Sequence, residues 1–313
     1  MTPHIQSIIH PAGIEAARIS HLWWVMFGIC AFVWLAVAAA TLIAIRRGRH
    51  AASAATDRQA SFAVASAGVA SVIALVALLT QSVVTGRALD SIRTPDALRI
   101  QVTGNQWWWD VQYENPTPSL RVTTANEIHL PIGRPVAIDL LSNDVIHSFW
   151  IPSLQGKIDL IPGRLNEIWL QADTPGVYRG QCAEYCGAQH AKMAMVVVAE
   201  PPDDFERWLT ANRASAPAPV TPEQERGKQV VERGPCAMCH TITGTLAGGH
   251  SAPDLTHIAS RSSLAAGSLP NSPGYLAGWI SDPQHIKPGN RMPPTGLNAD
   301  ELQAVLAYLE TLK

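Results

Sequence analysis

Residues 182–193 read Cys182-Ala183-Glu184-Tyr185-Cys186-Gly187-Ala188-Gln189-His190-Ala191-Lys192-Met193, and the run that follows from Met193 to Val198 is almost continuously apolar. A short apolar run of this kind, bounded by turn residues, has the pattern of a strand in the core of a sandwich. From about Pro95 to Glu200, further short runs rich in β-branched and aromatic residues are separated by Gly, Pro and Asn. Val136, Ile138 and Leu140 alternate along one face, and Trp107 to Tyr113 and Asn166 to Gln171 have strand character. The pattern predicts a β-sandwich or barrel over 95–209, closed by a short helix from Asp203 to Leu209.

The same loop carries the chemistry. Cys182, Cys186, His190 and Met193 are joined by His147, in Asn143-Asp144-Val145-Ile146-His147-Ser148. Thiolate, imidazole and thioether ligands together select copper. A mononuclear blue-copper site needs one Cys, whereas two thiolates in one loop can bridge two copper ions. Each metal then takes one His, and Met193 and a backbone carbonyl fill the weak positions. A disulfide is the plain alternative outside the cytoplasm, but it leaves His147, His190 and Met193 without a reason for their arrangement.

After an Ala, Pro and Ser rich linker at 210–220, the period turns helical over 221–313. Thr221 with Gln224, and Asn298 with Glu301, have capping-box spacing, with Pro222 at the first helical position and a predicted stop near Gly234. Leu302, Val305, Leu306 and Leu309 form an apolar stripe. Within this small domain, Cys236-Ala237-Met238-Cys239-His240 is C-x-x-C-H, the attachment motif of a c-type haem, whose imidazole binds iron. Zinc would need further Cys or paired His ligands. For the sixth iron position, Met292 in Arg291-Met292-Pro293-Pro294 is the first candidate, with His250, His257 and His285 as alternatives.

Upstream, Leu22 to Ile45 carries no formal charge and predicts a membrane helix; a second, from 62 to 84, lies between Arg58 and Arg87. The chain as a whole is 47% hydrophobic and 15% charged, with a formal charge of -2. Such a balance suits a membrane protein and supplies no basic field for nucleic acid. Arg46, Arg47, Arg49 and Arg58 in the connection place it in the cytoplasm and both termini outside. A cleaved signal peptide is the alternative for the first segment, but its apolar run is too long. Trp23 and Trp24 suit the outer interface, and Cys30 reads as a small buried hydrophobe.

Taken together, the two-helix anchor, Gly104-Asn105-Gln106-Trp107-Trp108-Trp109, the His147 segment, Lys157-Ile158-Asp159-Leu160-Ile161-Pro162-Gly163-Arg164, the Cys182 to Met193 loop and the haem motif resemble cytochrome c oxidase subunit II fused to a C-terminal cytochrome c domain. The resemblance implies a multidomain membrane protein: a transmembrane hairpin within 1–94, a cupredoxin-like Greek-key β-barrel over 95–209, and a small all-α cytochrome c domain over 221–313. It implies the dinuclear centre CuA, with His147, Cys182, Cys186, His190 and Met193 as side-chain ligands. Glu184 would lend its carbonyl to copper and its carboxylate to a magnesium ion at the subunit I boundary. Trp107, which alternation puts on the face of Trp109 and opposite Trp108, would be the residue where electrons enter.

The function implied is that of a proton-pumping terminal oxidase, with electrons passing from haem c to CuA and on to the haem-copper centre of subunit I, which reduces oxygen to water. Subunits I and III, a cytochrome c or a quinol:cytochrome c reductase as donor, and a bacterial inner membrane with the soluble domains on its periplasmic face complete the expectation. A glutamate common near the start of the second helix in relatives is missing, and Asp57 or Glu15 are poor substitutes, so the proton route does not carry over. The rivals are a haem-copper nitric oxide reductase subunit and a membrane-tethered copper-transfer protein. A quinol oxidase subunit would lack these metal ligands.

Overall fold

The computed structural model describes residues 6–47, 54–89 and 92–313. The chain divides into two compact units, Ala17–Ser91 and a second made of Met1–Ala16 with Ile92–Lys313.

The helical unit follows from its composition. Helices α1 (Ile14–Arg47) and α2 (Ala54–Leu89) are apolar on every face, and Phe32 and Phe62 are 72% and 76% exposed. So much exposed apolar surface needs lipid around it. Three of their hydroxyls are satisfied within the helix: Thr41, Ser71 and Thr80 donate to the carbonyls of Val37, Ala67 and Val76 at 2.8, 2.9 and 2.8 Å. Such pairing spares these three hydroxyls the cost of facing hydrocarbon unpaired. Both helices are longer than the charge-free runs at 22–45 and 62–84. The 33 residues of each candidate span cover roughly 50 Å, against a ~30 Å hydrocarbon layer, because polar flanks continue the helix once it leaves the apolar zone. Arg46, Arg47 and Arg58 therefore sit on helices and not in a loop, while Arg49 lies outside the described residues. Cys30 is exposed on α1, contrary to the expectation of burial. Trp23, Trp24 and Phe27 cluster, with Trp23 stacked on Phe27 at 5.3 Å.

In the other unit, the β domain is built from β1 (Leu98–Asn105), β2 (Trp108–Tyr113), β3 (Val122–Ala125), β4 (Glu127–Pro131), β5 (Val136–Ser142), β6 (His147–Trp150), β7 (Ile158–Leu160), β8 (Asn166–Leu170), β9 (Gly176–Cys182) and β10 (Ala194–Glu200). They form two five-stranded sheets, β3-β2-β1-β5-β8 and β4-β10-β9-β6-β7. Parallel pairs β1·β5 and β4·β10 sit among antiparallel neighbours, giving a cupredoxin-like sandwich. Ile100, Val102, Trp109, Ile138 and Leu140 of one sheet meet Ile128, Phe149, Tyr178 and Val197 of the other in one core. Strand β2 starts at Trp108, so Trp107 lies in the turn before it, one residue outside the predicted strand. Helix α3 (Pro202–Ala211) closes the domain through buried Phe205 and Leu209.

Thereafter come α4 (Pro222–Arg233), α5 (Cys236–Cys239), α6 (Pro273–Ser281), α7 (Pro283–Ile286) and α8 (Ala299–Leu309). Both capping boxes form as the sequence predicts, at Thr221 with Gln224 and at Asn298 with Glu301. The domain is not wholly α, since β11 (Ser263–Leu264) and β12 (Leu269–Pro270) pair as a small hairpin. Its turn holds Ala265 and Ala266 at φ 51° and 57°, beside Gly267 at 70°. Left-handed alanines carry no turn signature, and they need outside contacts to offset the strain.

Helices α4 and α8 cross at Gly227, where an added Cβ would run into the Ala304 carbonyl. Gly227→Ala should therefore force the helices apart and destabilise this domain by about 1–3 kcal/mol, the usual cost of overpacking. Thermal denaturation followed by circular dichroism would read the loss, and an unchanged transition would contradict this crossing.

Candidate copper and haem sites

Adjacent strands β6, β9 and β10 bring the sulfur and nitrogen donors to one end of the sandwich. His147 opens β6, Cys182 ends β9, and the loop beyond it returns through a single 3-10 turn, His190–Lys192, to Met193 and β10. The Cys182 and Cys186 sulfurs lie 3.7 Å apart and both thiols are free, far from the ~2.05 Å of a disulfide. His147 Nδ1 is 3.9 Å from the Cys182 sulfur, and the Glu184 carbonyl is 3.2 Å from it. His190 Nδ1 and Met193 Sδ lie 3.6 and 3.8 Å from the Cys186 sulfur. The donors thus divide evenly about the sulfur pair, one imidazole and one weak donor beside each thiol. Such an arrangement fits two thiophilic ions sharing both sulfurs.

Electrostatics point the same way. A hydrogen bond from Cys186 holds the Cys182 thiol well below its ordinary pKa, and the same hydrogen bond, with burial and the Cys182 charge, pushes Cys186 up. Two thiolates this close repel unless a cation lies between them, and coordination deprotonates both. His147 is fully buried, and its Nε2 bonds Asp144 Oδ1 at 2.8 Å, which orients the ring and leaves Nδ1 facing the sulfurs. Gly104 gives the ring its room, because a Cβ there would stand 2.7 Å from His147 Cδ2.

A second site lies in the helical domain, a cavity of about 350 Å³ lined by Cys236, Cys239, His240, Met292, Leu264, Trp279 and Ile280. One-turn helix α5 presents the two cysteines, and His240 Nδ1 bonds the Pro253 carbonyl at 2.7 Å, so Nε2 is the nitrogen left for a metal. Met292 is held by its own backbone, its N donating to Asn290 Oδ1 and its O accepting from Gln284 Nε2, each at 2.8 Å. His250, His257 and His285 do not line the cavity, and both His257 nitrogens face carbonyls, of Lys313 and Ala214. Arg261 is buried at the wall with its Nε unpartnered. A largely apolar cavity lined by two thiols, an imidazole and a thioether, with one cationic N–H that has no partner among the described residues, suits a haem with acidic side groups.

Trp107 adjoins both sites. It lines the cavity with Gln106 and Trp108, while its Nε1 donates to the Cys186 carbonyl at 3.0 Å. Gln106 Nε2 donates to the same carbonyl at 2.8 Å. Asp144 and Gly104 stood within the quoted motifs without an assigned task; Asp144, three residues before His147, was the more readable of the two. Lys287 and Arg261, which also line the cavity, had no sequence signal.

Residues 115–200 match the periplasmic domain of cytochrome c oxidase subunit II, and residues 224–313 match cytochrome c. A cytochrome c oxidase subunit 2 of Alkalihalophilus pseudofirmus is 37% identical over 248 residues, covering 77% of this chain and 70% of the relative. The chain belongs to the cytochrome c oxidase subunit II family. A subunit 2 from Bacillus sp. strain PS3 is 32% identical over 72% of this chain and 65% of its own length, so the chain spans about two thirds of these relatives. The crystallised periplasmic domain of subunit II from Bradyrhizobium japonicum is 31% identical, covers 39% of this chain and 96% of that domain, and has a TM-score of 0.36. The two domain matches imply CuA copper and haem c in this subunit II chain. With its two lipid-suited helices, it is membrane-anchored.

Gly104→Ala should crowd His147 off the sulfur pair. Changes in the layer behind a metal ligand cost about 10–100-fold in metal affinity, so copper retention on dialysis should fall and the near-infrared copper band should shift. An unaltered band and copper content would contradict the contact.

Proposed function

We propose that this chain is the subunit through which electrons enter a proton-pumping haem-copper terminal oxidase, from haem c to CuA and on to a partner subunit I that reduces oxygen to water. The observation that carries this reading is the position of Trp107, a lining residue of the haem cavity whose Nε1 donates to the carbonyl of Cys186. Cys236 and Cys239 would hold the haem covalently, with His240 and Met292 as the residues that would bind its iron. His147, Cys182, Cys186, His190 and Met193, with the Glu184 carbonyl, would hold the two coppers. Bound there, haem c and CuA supply reversible one-electron exchange, and thioether ligation raises the haem potential.

The residues around the sites do the rest. Burial of His147, Cys182, Cys186 and Met193 keeps water from the sulfur pair, so little solvent must reorganise. Asp144 and Gly104 fix the His147 ring, and Asn290 and Gln284 fix the Met292 loop. Trp107 takes the role of the residue through which electrons enter the copper domain. We extend the reading to a magnesium ion at the Glu184 carboxylate, to subunit III beside subunit I, and to a cytochrome c or quinol:cytochrome c reductase as donor. The Arg-rich end of the helical hairpin supports a cytoplasmic connection in a bacterial inner membrane, with the termini and both metal domains periplasmic.

In the isolated complex, Cys186→Ser should abolish the near-infrared copper absorption and oxygen consumption while haem c stays reducible; persistence of both signals would refute the relay. Met292→Ala should lower the haem potential and remove the sulfur-iron charge-transfer band, and retention of both would exclude this ligand.

A further inference from the structure

Lys287, just past α7, is 2% exposed, and its ammonium meets no carboxylate among the described residues. Its Nζ donates to the Trp107 carbonyl at 2.8 Å, the Lys192 carbonyl at 2.9 Å and the Ala265 carbonyl at 3.2 Å. An ammonium has three N–H donors, and these three acceptors fill them. Two belong to the copper domain, from the turn before β2 and the residue before Met193. The third comes from the left-handed turn of the β11-β12 hairpin in the cytochrome domain.

We propose that Lys287 is the positioning residue that locks the cytochrome domain over Trp107, so that haem c is the obligatory path to copper and an external donor is shut off from that tryptophan. The inference rests on the relay reading above. A buried charge adds little net affinity, since docking strips it of water. It is selective instead, because any docked arrangement that misplaces one carbonyl leaves a buried charge under-satisfied. Burial, helped by the Lys192 charge, pushes the Lys287 pKa down to about 7, with the Cys186 charge opposing; only the protonated amine can donate to all three carbonyls.

Contacts on either side agree in register. Lys192 Nζ donates to the Ile286 carbonyl at 2.6 Å and Gln189 Nε2 to the Pro288 carbonyl at 2.8 Å. Ala194 N donates to the Ala266 carbonyl at 3.0 Å, and Arg291 pairs with Asp144 at 3.3 Å. Under this seam Trp107 is only 8% exposed.

The test uses the whole metal-loaded complex with Lys287→Glu, and with Lys287→Met as the milder variant. Hydrogen exchange at residues 105–109 and 189–193 should quicken about tenfold or more, while the β1 and β10 cores stay protected. On mixing with a reduced soluble cytochrome c, copper reduction should gain a phase that no longer waits for haem c. Wild-type exchange and reduction order in Lys287→Glu, with both cofactors present, would overturn the lock; if that variant loses copper, the same result in Lys287→Met would. Failure of the relay itself looks different: wild-type protein would then lack the near-infrared band, or its copper would never take electrons from haem c.

Discussion

Everything in the copper domain depends on two sulfurs kept 3.7 Å apart in one short loop. Given an oxidant, thiols this close could join as a disulfide, and the loop holds them apart by several independent contacts. The backbone does most of this. Cys182 N donates to the Met193 carbonyl at 2.9 Å, tying the start of the loop to its end, and His190 N donates to the Gly187 carbonyl at 3.0 Å. Gly187 turns the chain at φ 113°, where an added Cβ would also press on Gln106 and Trp107 at 3.0 Å. Those two residues then bind the Cys186 carbonyl from outside. The quoted Gly104 to Trp109 motif therefore acts as the other wall of the copper loop.

Legibility followed how local each cause is. The C-x-x-C-H motif lies within five residues, so Cys236 to His240 stand out in the sequence without any knowledge of the fold. Capping boxes span four residues and were equally plain at Thr221 and Asn298. The ends of α1 and α2 were not, because a charge-free run marks where lipid is tolerated and says nothing of where helix stops. Trp107 was placed in a strand because alternation does not register the turn at Gln106. The β11-β12 hairpin escaped because Ala265 and Ala266 take left-handed angles only under contacts made by distant segments. Lys287 is the extreme case: all its partners are backbone carbonyls, which any residue supplies, so no pattern of side chains could announce it.

Behind that lock the seam between the two domains is polar, and Glu127 and His129 are charge partners there. Glu127 accepts from the Ser262 hydroxyl at 2.6 Å and its amide at 3.0 Å, which anchors the start of the hairpin to β4. Burial alone would raise the Glu127 pKa, but hydrogen bonds from His129 and Ser262 outweigh it and hold it down. Burial would likewise lower His129, yet Glu127 and Glu200 raise it, with Glu200 at 2.7 Å from Nδ1 and Trp208 stacked on the ring at 4.0 Å. The lowered carboxylate contributes stability that is lost as pH falls through its folded pKa. The raised imidazole contributes stability that is lost as pH rises through its own. The triad is thus most favourable between those two points, with His129 charged between two carboxylates.

Such a seam distinguishes a fixed donor from a tethered one. A cytochrome on a free linker would reach copper by repeated encounter, and the linker would only raise its local concentration. Here residues 214–216 are themselves pinned, with Ala216 N on the Thr243 carbonyl at 2.9 Å and the Ala214 carbonyl on His257 at 3.1 Å. The chain leaving the copper domain is therefore held against the cytochrome domain as it arrives. With both ends of the seam anchored and the charge of Lys287 satisfied only in one register, the haem cavity and the sulfur pair face a single shared tryptophan. On the relay proposed above, transfer across this seam would not wait on how often the domains meet.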